Sequence, residues 1–188
     1  MPSAIRKPVI SRWHLIVAVL LLCVTGANGN EPYPRLTVNN APLLSDAPVI
    51  DGRVESREWI AAQQLPPMIR SSDGQLDQNQ TTVYVGYTEE ALYIGWQVYR
   101  SAESGPMRNA ANTPGYHDGR TVWLDDGIGL FLDLSADGKS AVAFAGNAAG
   151  AYGDGLAQGT TDFNHSWKWQ YKARTTDFGW EGELKIRF

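Results

Sequence analysis

The chain has 188 residues and an ordinary soluble composition, with 43% hydrophobic and 11% aromatic residues and a formal net charge of −4. Its acidic balance is greater beyond the amino terminus, because Arg6, Lys7 and Arg12 lie in a first stretch that contains no acid. A protein with this charge is not expected to bind nucleic acid. The length, the 19 glycines and the 10 prolines predict one domain that is rich in turns.

The amino-terminal segment has the three parts of a secretory signal peptide. Basic residues precede an unbroken apolar run over residues 15–24, and small residues follow the run up to Gly29. This run is shorter than the roughly 20 residues that span a bilayer, so a retained membrane helix is the weaker interpretation. We expect residues 1–29 to be removed and the mature protein to be secreted, into a periplasm or outside the cell.

Cys23 is the only cysteine in the sequence. Leu22 precedes it at a position where a lipoprotein signal would carry a small residue, so an apolar filler is favoured over a lipidation site. Cleavage near Gly29 removes this cysteine, and the mature protein then has neither a disulfide nor a thiolate metal site. We therefore expect packing alone to hold the fold.

Residues 30–47 contain several prolines and show no sustained periodicity, which predicts an extended leader before a domain over residues 48–188. The Asp51-Gly52 pair predicts a turn. Residues 55–62 then predict one short helical turn that Trp59 anchors.

A two-residue period begins at Thr82 and predicts a hairpin with one strongly apolar side. The apolar side is formed by Val83, Val85, Tyr87, Leu92, Ile94, Trp96 and Val98. Residues 100–121 lose this alternation, which predicts a long loop, a kind of segment that often carries function.

A second hairpin is predicted over residues 128–147, and the small, glycine-rich residues 148–161 are interpreted as a loop. In the last strand, apolar side chains from Trp180 to Ile186 share one face. The other face carries Glu181, Glu183, Lys185 and Arg187, which predicts one solvated side. Six or more strands with almost no helix predict an all-β protein, an antiparallel sandwich of immunoglobulin or jelly-roll type with one short helix.

Five short segments occur in a characteristic order: residues 48–52 with Glu58-Trp59, Thr82-Val83 with residues 91–94, residues 123–133, Phe144 and Asn147 before Gly150, and Gly179-Trp180 with Glu183 and Ile186. Together they resemble the family 9 carbohydrate-binding modules, which belong to the DOMON-like β-sandwiches. The resemblance implies a non-catalytic module that binds polysaccharide or oligosaccharide ends between two tryptophans. It also implies calcium ions that support the loops, and a glycoside hydrolase to which the module is attached.

Within this resemblance, Trp123 matches the first of the two sugar-binding tryptophans. A flat indole ring can cover the apolar C–H face of a sugar, and its place at the end of a long loop favours this role. Core packing of Trp123 is the alternative that stays open. The further candidate sugar contacts are Tyr116, Tyr152, Trp167 and Asn147, although core packing is the favoured interpretation of Trp167.

Hard oxygen ligands at Asp125, Asp126 and Asp154 make calcium a more plausible ligand than haem, although no twelve-residue spacing organises them and a charged, solvated loop is the default interpretation. Haem is not expected. Distant DOMON-like relatives bind haem through methionine and histidine, and the candidates here all lie in predicted loops: Met68, Met107, His117 and His165.

We identify no catalytic site in the sequence, and a link to a hydrolase is left open. Glu181 and Glu183 share a strand face at a separation of about 6.6 Å, which is twice the rise per strand residue. Lys185 and Arg187 continue that face, so a solvated, charge-paired surface is favoured over the carboxyl pair of a glycosidase.

Two positions depart from the family pattern. Gly129 stands where the family carries an acid on the strand after the tryptophan, and Ala145 stands where it carries an arginine. The family's second sugar-binding tryptophan would lie beyond Phe188, so we expect an incomplete copy of the module. A second hypothesis therefore stays open, in which the protein is a structural or spacer sandwich of the cell envelope that does not bind sugar.

Overall fold

The computed structural model describes residues 40–70, 72–101, 104–109, 117 and 120–188. The predicted signal peptide, most of the predicted leader and the candidate sugar contact Tyr116 lie outside these ranges. Across the described ranges, no helix is both long enough and apolar enough to cross a membrane.

The described part of the chain contains two antiparallel sheets. Its elements are α1 (Ser56–Trp59), β1 (Gln63–Gln64), β2 (Thr81–Tyr87), β3 (Ala91–Tyr99), a 3₁₀ helix (Arg120–Leu124), β4 (Gly127–Leu132), β5 (Ala141–Asn147), β6 (Tyr152–Gln158), β7 (Thr160–Asp162), β8 (Trp169–Thr176) and β9 (Gly179–Arg187). One sheet has the order β1-β2-β3-β9-β8 and the other β4-β5-β6-β7. The predicted all-β antiparallel sandwich with one short helix is confirmed.

The main core lies between the two sheets. Trp96, a tryptophan with 0% exposure, stacks on Tyr171 at a centroid distance of 5.8 Å and meets the edge of Trp180 at 5.9 Å. Gly182 must lack a side chain, because a Cβ at this position would lie 2.7 Å from the Trp96 ring. The core also contains Val83, Val85, Leu92 and Ile94 from the predicted apolar side of the β2-β3 hairpin. The other strands contribute Leu130, Leu132, Val142, Phe144, Trp169, Leu184 and Ile186.

A second, smaller core covers part of the outer face of the five-stranded sheet. Trp59, at the end of α1, is 2% exposed, and it packs with Val54 and Tyr93. A Cβ on Gly95 would lie 2.7 Å from the Trp59 ring, so the indole can pack against the sheet here only because residue 95 is glycine. The predicted helical turn with Trp59 as its anchor is confirmed. Leu44, in the predicted leader, also lies on this face, against Gly86.

The prediction of a solvated outer face on the last strand is wrong for Glu181 and Glu183. Glu183 is completely buried, and Glu181 is 3% exposed. Glu183 accepts hydrogen bonds from the backbone N–H groups of Asp51 and Gly52 and from the indole N–H of Trp59, and all three residues are far away in sequence. Strand alternation indicates which side chains share a face, but it does not show what covers that face.

β9 pairs with β3 on one side and with β8 on the other, so it lies inside the five-stranded sheet. One further expectation needs correction. Residues 148–161, which we interpreted as a loop, contain β6 and the first part of β7. Glycine and alanine occupy alternate positions of β6, so this strand lacks the apolar alternation that sequence reasoning relies on.

Candidate functional site

Trp123 lies on the 3₁₀ helix that precedes β4. The preceding residue, Val122, is 2% exposed and forms a small core with Ala145 and Ala151. Trp123 is partly buried and packs against this cluster. The helix is closed by a hydrogen bond from the Asp125 N–H to the Val122 carbonyl at 3.3 Å. The buried valine therefore anchors the helix, and the tryptophan beside it keeps part of its ring at the surface.

Two phenylalanine rings flank Trp123. The centroid of Phe131 lies 6.2 Å and that of Phe163 5.9 Å from the indole, and both rings are tilted by more than 45° relative to it. All three side chains are partly exposed. The three rings make an aromatic cluster at the surface of the four-stranded sheet, and we call it the Trp123 cluster.

The sheet face that carries this cluster is built from very small residues. Gly129 of β4 is paired with Ala145 of β5, and Ala145 is paired in turn with Gly153 of β6. The next row continues with Ala143 and Gly155. Aromatic rings can approach the backbone closely here because no large side chain intervenes. The result is an apolar face with aromatic rings and no polar side chain at these five positions.

The two positions that depart from the family pattern coincide on this face, because Gly129 and Ala145 are direct cross-strand partners. A Cβ on Gly129 would meet one ring atom of Phe131 at 3.8 Å and nothing closer, so a longer side chain has room. Glycine here is not imposed by packing. A polar side chain would therefore fit at position 129 beside the Trp123 cluster, but the sequence has glycine there.

The indole N–H of Trp123 is enclosed and has no hydrogen-bond partner among the described residues. A buried donor without an acceptor costs about 1–3 kcal/mol. This N–H is therefore a donor without an acceptor in the described part of the chain, and a hydrogen bond to it would remove that cost.

Asn147, a candidate sugar contact, is completely buried. Its Nδ2 donates to the Asp125 carboxylate at 2.8 Å, and its Oδ1 accepts the backbone N–H groups of Ala149 and Ala151. Its carbonyl accepts the Tyr171 hydroxyl at 2.6 Å, and burial raises the pKa of that tyrosine well above its ordinary value. Asn147 thus fixes the β5-β6 turn and the segment after Trp123, and its side chain is too deep to face a sugar.

Asp154, on β6, connects the two sheets from inside the sandwich. It is 1% exposed, and its Oδ2 accepts the Trp167 backbone N–H at 2.8 Å and the Trp169 indole N–H at 3.0 Å. Its Oδ1 lies 3.6 Å from Nε2 of His117. These contacts hold the beginning of β8 against β6, which is a structural role.

Tyr152 and Trp167 lie on the core side of the four-stranded sheet, opposite the Trp123 cluster. Tyr152 belongs to β6 rather than to a loop, and its ring contacts Trp169 at 4.9 Å and His117 at 4.6 Å. Trp167 meets the edge of the Phe144 ring at 6.1 Å, just before β8 begins. Both are partly buried against the main core. The structure therefore does not bring these two candidates together with Trp123.

The three candidate metal ligands do not form one group. The Asp126 carboxylate accepts the Arg100 guanidinium at 3.0 Å and the Arg108 backbone N–H at 3.0 Å, while Asp125 and Asp154 make the separate contacts given above. Within the described ranges, no group of three or more His, Cys, Asp or Glu side chains could hold a metal ion. These contacts give no support to a calcium site, and calcium stays an untested prediction.

Sequence reasoning found Trp123 but missed its two ring neighbours. Phe131 alternates with Leu130 and Leu132, so the sequence did place it on the face away from the main core. Phe163 follows β7, in a stretch where no periodicity marks the face of a side chain. The alternation around Phe131 was the available signal.

No protein-family model matches the chain, and no curated protein matches it either. Solved structures do match. The family 9 carbohydrate-binding module from Caldicellulosiruptor kristjanssonii in complex with cellotriose aligns with a TM-score of 0.55 and 21% identity, over 79% of this chain and 67% of that one. The chain has the fold of the family 9 carbohydrate-binding modules.

Two further structures agree with this fold. The family 9 module from Caldicellulosiruptor kristjanssonii in complex with glucose gives a TM-score of 0.54 and 22% identity, over 78% of this chain and 68% of that one. A Bacteroides uniformis protein whose proposed role is carbohydrate binding gives 0.53 and 13%, over 78% and 70%. The resemblance inferred from the five sequence segments is thus confirmed at the level of the fold.

Proposed function

We propose that this protein binds carbohydrate without catalysing a reaction, and that the Trp123 cluster is the sugar platform. One observation carries the proposal: three partly exposed aromatic rings lie on a glycine and alanine face, in a fold shared with modules solved with cellotriose and glucose. The ligand class is the end of a polysaccharide or oligosaccharide chain.

The chemistry of the cluster suits a sugar ring. The C–H face of a pyranose is apolar, and partly exposed aromatic rings can cover that face and remove it from water. Gly129 and Ala145 provide no hydroxyl partners, so stacking must supply most of the affinity. We therefore expect weak binding with little discrimination between sugars that differ at one hydroxyl.

The proposal extends to the cellular role. The amino-terminal pattern supports secretion, and the family resemblance supports targeting of an associated glycoside hydrolase to polysaccharide. Amino-terminal sequencing of the exported protein should begin near Asn30. An intact Met1 on the exported protein would contradict the secretory part and leave sugar binding unaffected.

A spacer role is the second candidate function, and the Gly129–Ala145 pair favours it. A sugar site normally combines an aromatic platform with a few polar groups at the ring edge, whereas these two paired positions supply none. In this alternative the three rings only pack against each other and against the sheet, and the protein separates or supports other parts of an envelope protein.

Calorimetric titration of the purified protein with glucose, cello-oligosaccharides and xylo-oligosaccharides decides between the two functions. We expect Trp123→Ala to abolish binding while the protein stays folded in a thermal melt. Trp167→Ala is the matched control, since it removes a partly buried tryptophan from the opposite side of the same sheet. No binding by the parent protein would support the spacer role, whereas unchanged binding by Trp123→Ala would contradict the Trp123 cluster as the sugar platform.

A further inference from the structure

The outer face of the five-stranded sheet is divided into a covered and an uncovered half. Trp59 lies over Gly95, and Leu44 lies over Gly86, so these residues close one half. In the other half, one row of paired residues crosses four strands with its side chains outward: Thr82, Gln97, Glu181 and Arg174. This row is about 15 Å long at the usual strand spacing, which is longer than a single sugar ring.

Tyr99 stands beside this row and is 41% exposed. Its ring lies against Phe178, with 5.0 Å between centroids and 32° between planes, which fixes the orientation of the tyrosine. Gly179 is its partner on β9 and has no side chain, because a Cβ would lie only 2.2 Å from the Val98 carbonyl oxygen. Part of the Tyr99 side chain is therefore accessible above the sheet.

The polar groups of the row are already held in place. The buried Glu181 carboxylate accepts the Gln97 amide at 3.1 Å and the Arg174 Nε at 2.8 Å. The Tyr99 hydroxyl donates to Oε1 of Gln97 at 3.4 Å. Since the amide, the guanidinium and the ring are fixed before any ligand arrives, little conformational entropy would be lost on binding.

The charges and the shape of the region select the class of ligand. The charges of Arg174 and Glu181 cancel within the row, so the row favours a neutral ligand rich in hydroxyl groups over an ionic one. An open cleft of about 340 Å³ adjoins the row at Thr82, and its lining includes the amides of Gln64 and Gln80, the apolar Leu65 and Pro67, and the carboxylate of Asp77. A chain of sugar units could lie along the row and enter this cleft.

We propose that the uncovered half of this face, formed by Thr82, Gln97, Tyr99 and Arg174 around the buried Glu181, is a second carbohydrate-binding surface for the side of a neutral glycan chain. It lies on the sheet that does not carry the Trp123 cluster, so it does not depend on that site. A platform along the chain and a platform for the chain end would together hold a polymer more tightly than a short oligosaccharide.

Affinity electrophoresis in gels that contain soluble xylan or hydroxyethylcellulose tests the proposal with the full chain. We expect Tyr99→Ala and Gln97→Ala each to weaken retardation about five-fold, and Tyr99→Phe to keep most of it because the ring remains. Phe188→Ala is the control, since Phe188 is 65% exposed on the same chain but outside the row. Thermal melts should show only a small loss for Tyr99→Ala, because Tyr99 is 41% exposed and lies outside the buried cores.

A Trp123→Ala background separates the two sites. Residual retardation that Tyr99→Ala then removes supports the second surface, and retardation that Trp123→Ala alone abolishes overturns it while leaving the proposed function intact. Loss with Tyr99→Ala but none with Trp123→Ala supports the second surface and contradicts the first site. Equal retardation of the parent protein, Tyr99→Ala and Gln97→Ala overturns the second surface, as does a dimer that Tyr99→Ala dissociates.

Discussion

The two sheets of the sandwich carry different kinds of residue on their outer faces. The five-stranded sheet buries two glutamates on its outer face and satisfies them with hydrogen bonds, whereas the four-stranded sheet presents glycine, alanine and three aromatic rings. On one half of the first sheet's outer face, the chain itself supplies a cover, from Leu44 to Trp59. On the second sheet the corresponding surface keeps its rings partly exposed.

The difference shows that a buried residue and a surface residue of the same type can perform different tasks in one fold. Trp59 and Trp123 are both tryptophans on an outer face. The indole N–H of Trp59 donates to Glu183 at 3.0 Å, whereas that of Trp123 has no partner in the described part of the chain. The first ring is fully engaged within the protein, whereas the second keeps part of its surface accessible.

The largest expected effect is on the covered face. Trp59→Ala should lower the free energy of unfolding by about 3–5 kcal/mol, since it removes a fully buried ring and leaves the Glu183 carboxylate without one of its donors. Urea denaturation measures this loss. Trp123→Ala should cost less than half as much, and Ile60→Ala, at an 85% exposed neighbouring position, should change stability by about 0.5 kcal/mol or less. Equal losses for the two tryptophans would remove the distinction between the faces.

Glu183→Gln should have the next largest effect. The carboxylate accepts N–H groups from Trp59, Gly52 and Asp51 at 3.0, 3.0 and 3.1 Å. A glutamine side chain offers one acceptor and one donor, so at least one of these N–H groups would face an NH₂ group. We expect a loss of about 1–3 kcal/mol. Glu90→Gln is the matched control and should leave stability unchanged, because Glu90 is an exposed glutamate directly before β3.

The dependence of stability on pH should report the same carboxyl group. Burial, which outweighs the three hydrogen bonds, raises the pKa of Glu183 from 4.5 to about 7. The folded protein then binds this proton more tightly than the unfolded chain does. This contribution to stability is therefore complete below about pH 4.5 and is lost as the pH rises to about 7.

Urea midpoints measured between pH 4.5 and pH 8 check this sign. The parent protein should lose stability across the interval by more than Glu183→Gln does, because the variant has no group to titrate at this position. Asp51, which lies beside this carboxyl, and the charged residues on the same sheet face, Lys172, Glu181 and Lys185, remain in both proteins. Parallel pH profiles for the two proteins would show that Glu183 does not titrate in this range.

Much of the fold could be predicted from the sequence, because alternation is a local signal. The shared face of Val83, Val85 and the β3 residues, and the anchor role of Trp59, followed from spacing alone. The burial of Glu183 could not be predicted, since it depends on residues more than 120 positions away in the sequence. β6 was missed because glycines replace the apolar residues that normally mark a strand.

The site was predictable only in part, for a similar reason. Trp123 was identified from its place in the segment order, and its neighbour Phe131 could have been found from alternation. The separation of Trp123 from Tyr152 and Trp167 depends on which side of the four-stranded sheet each one occupies. That assignment requires the register of β5 with β6, which the sequence of β6 does not reveal.

The smallest expected effect concerns Gly129, where the two faces can be made more alike. Gly129→Glu would place a carboxylate beside Ala145 on the face of the Trp123 cluster, and the open space around Gly129 predicts a change in stability of about 0.5 kcal/mol or less. The new acceptor can bond a sugar hydroxyl at the ring edge, which is worth about 0.5–1.5 kcal/mol and so raises glucose and cello-oligosaccharide affinity by a few-fold.

Gly138→Glu is unsuited as a control because Gly138 has a φ of +68°, whereas Ser140→Glu adds the same charge without a strained backbone. A gain in affinity with Gly129→Glu and none with Ser140→Glu would show that the platform lacks only its polar edge. No gain with either variant would show that the rings of this face do not meet a sugar.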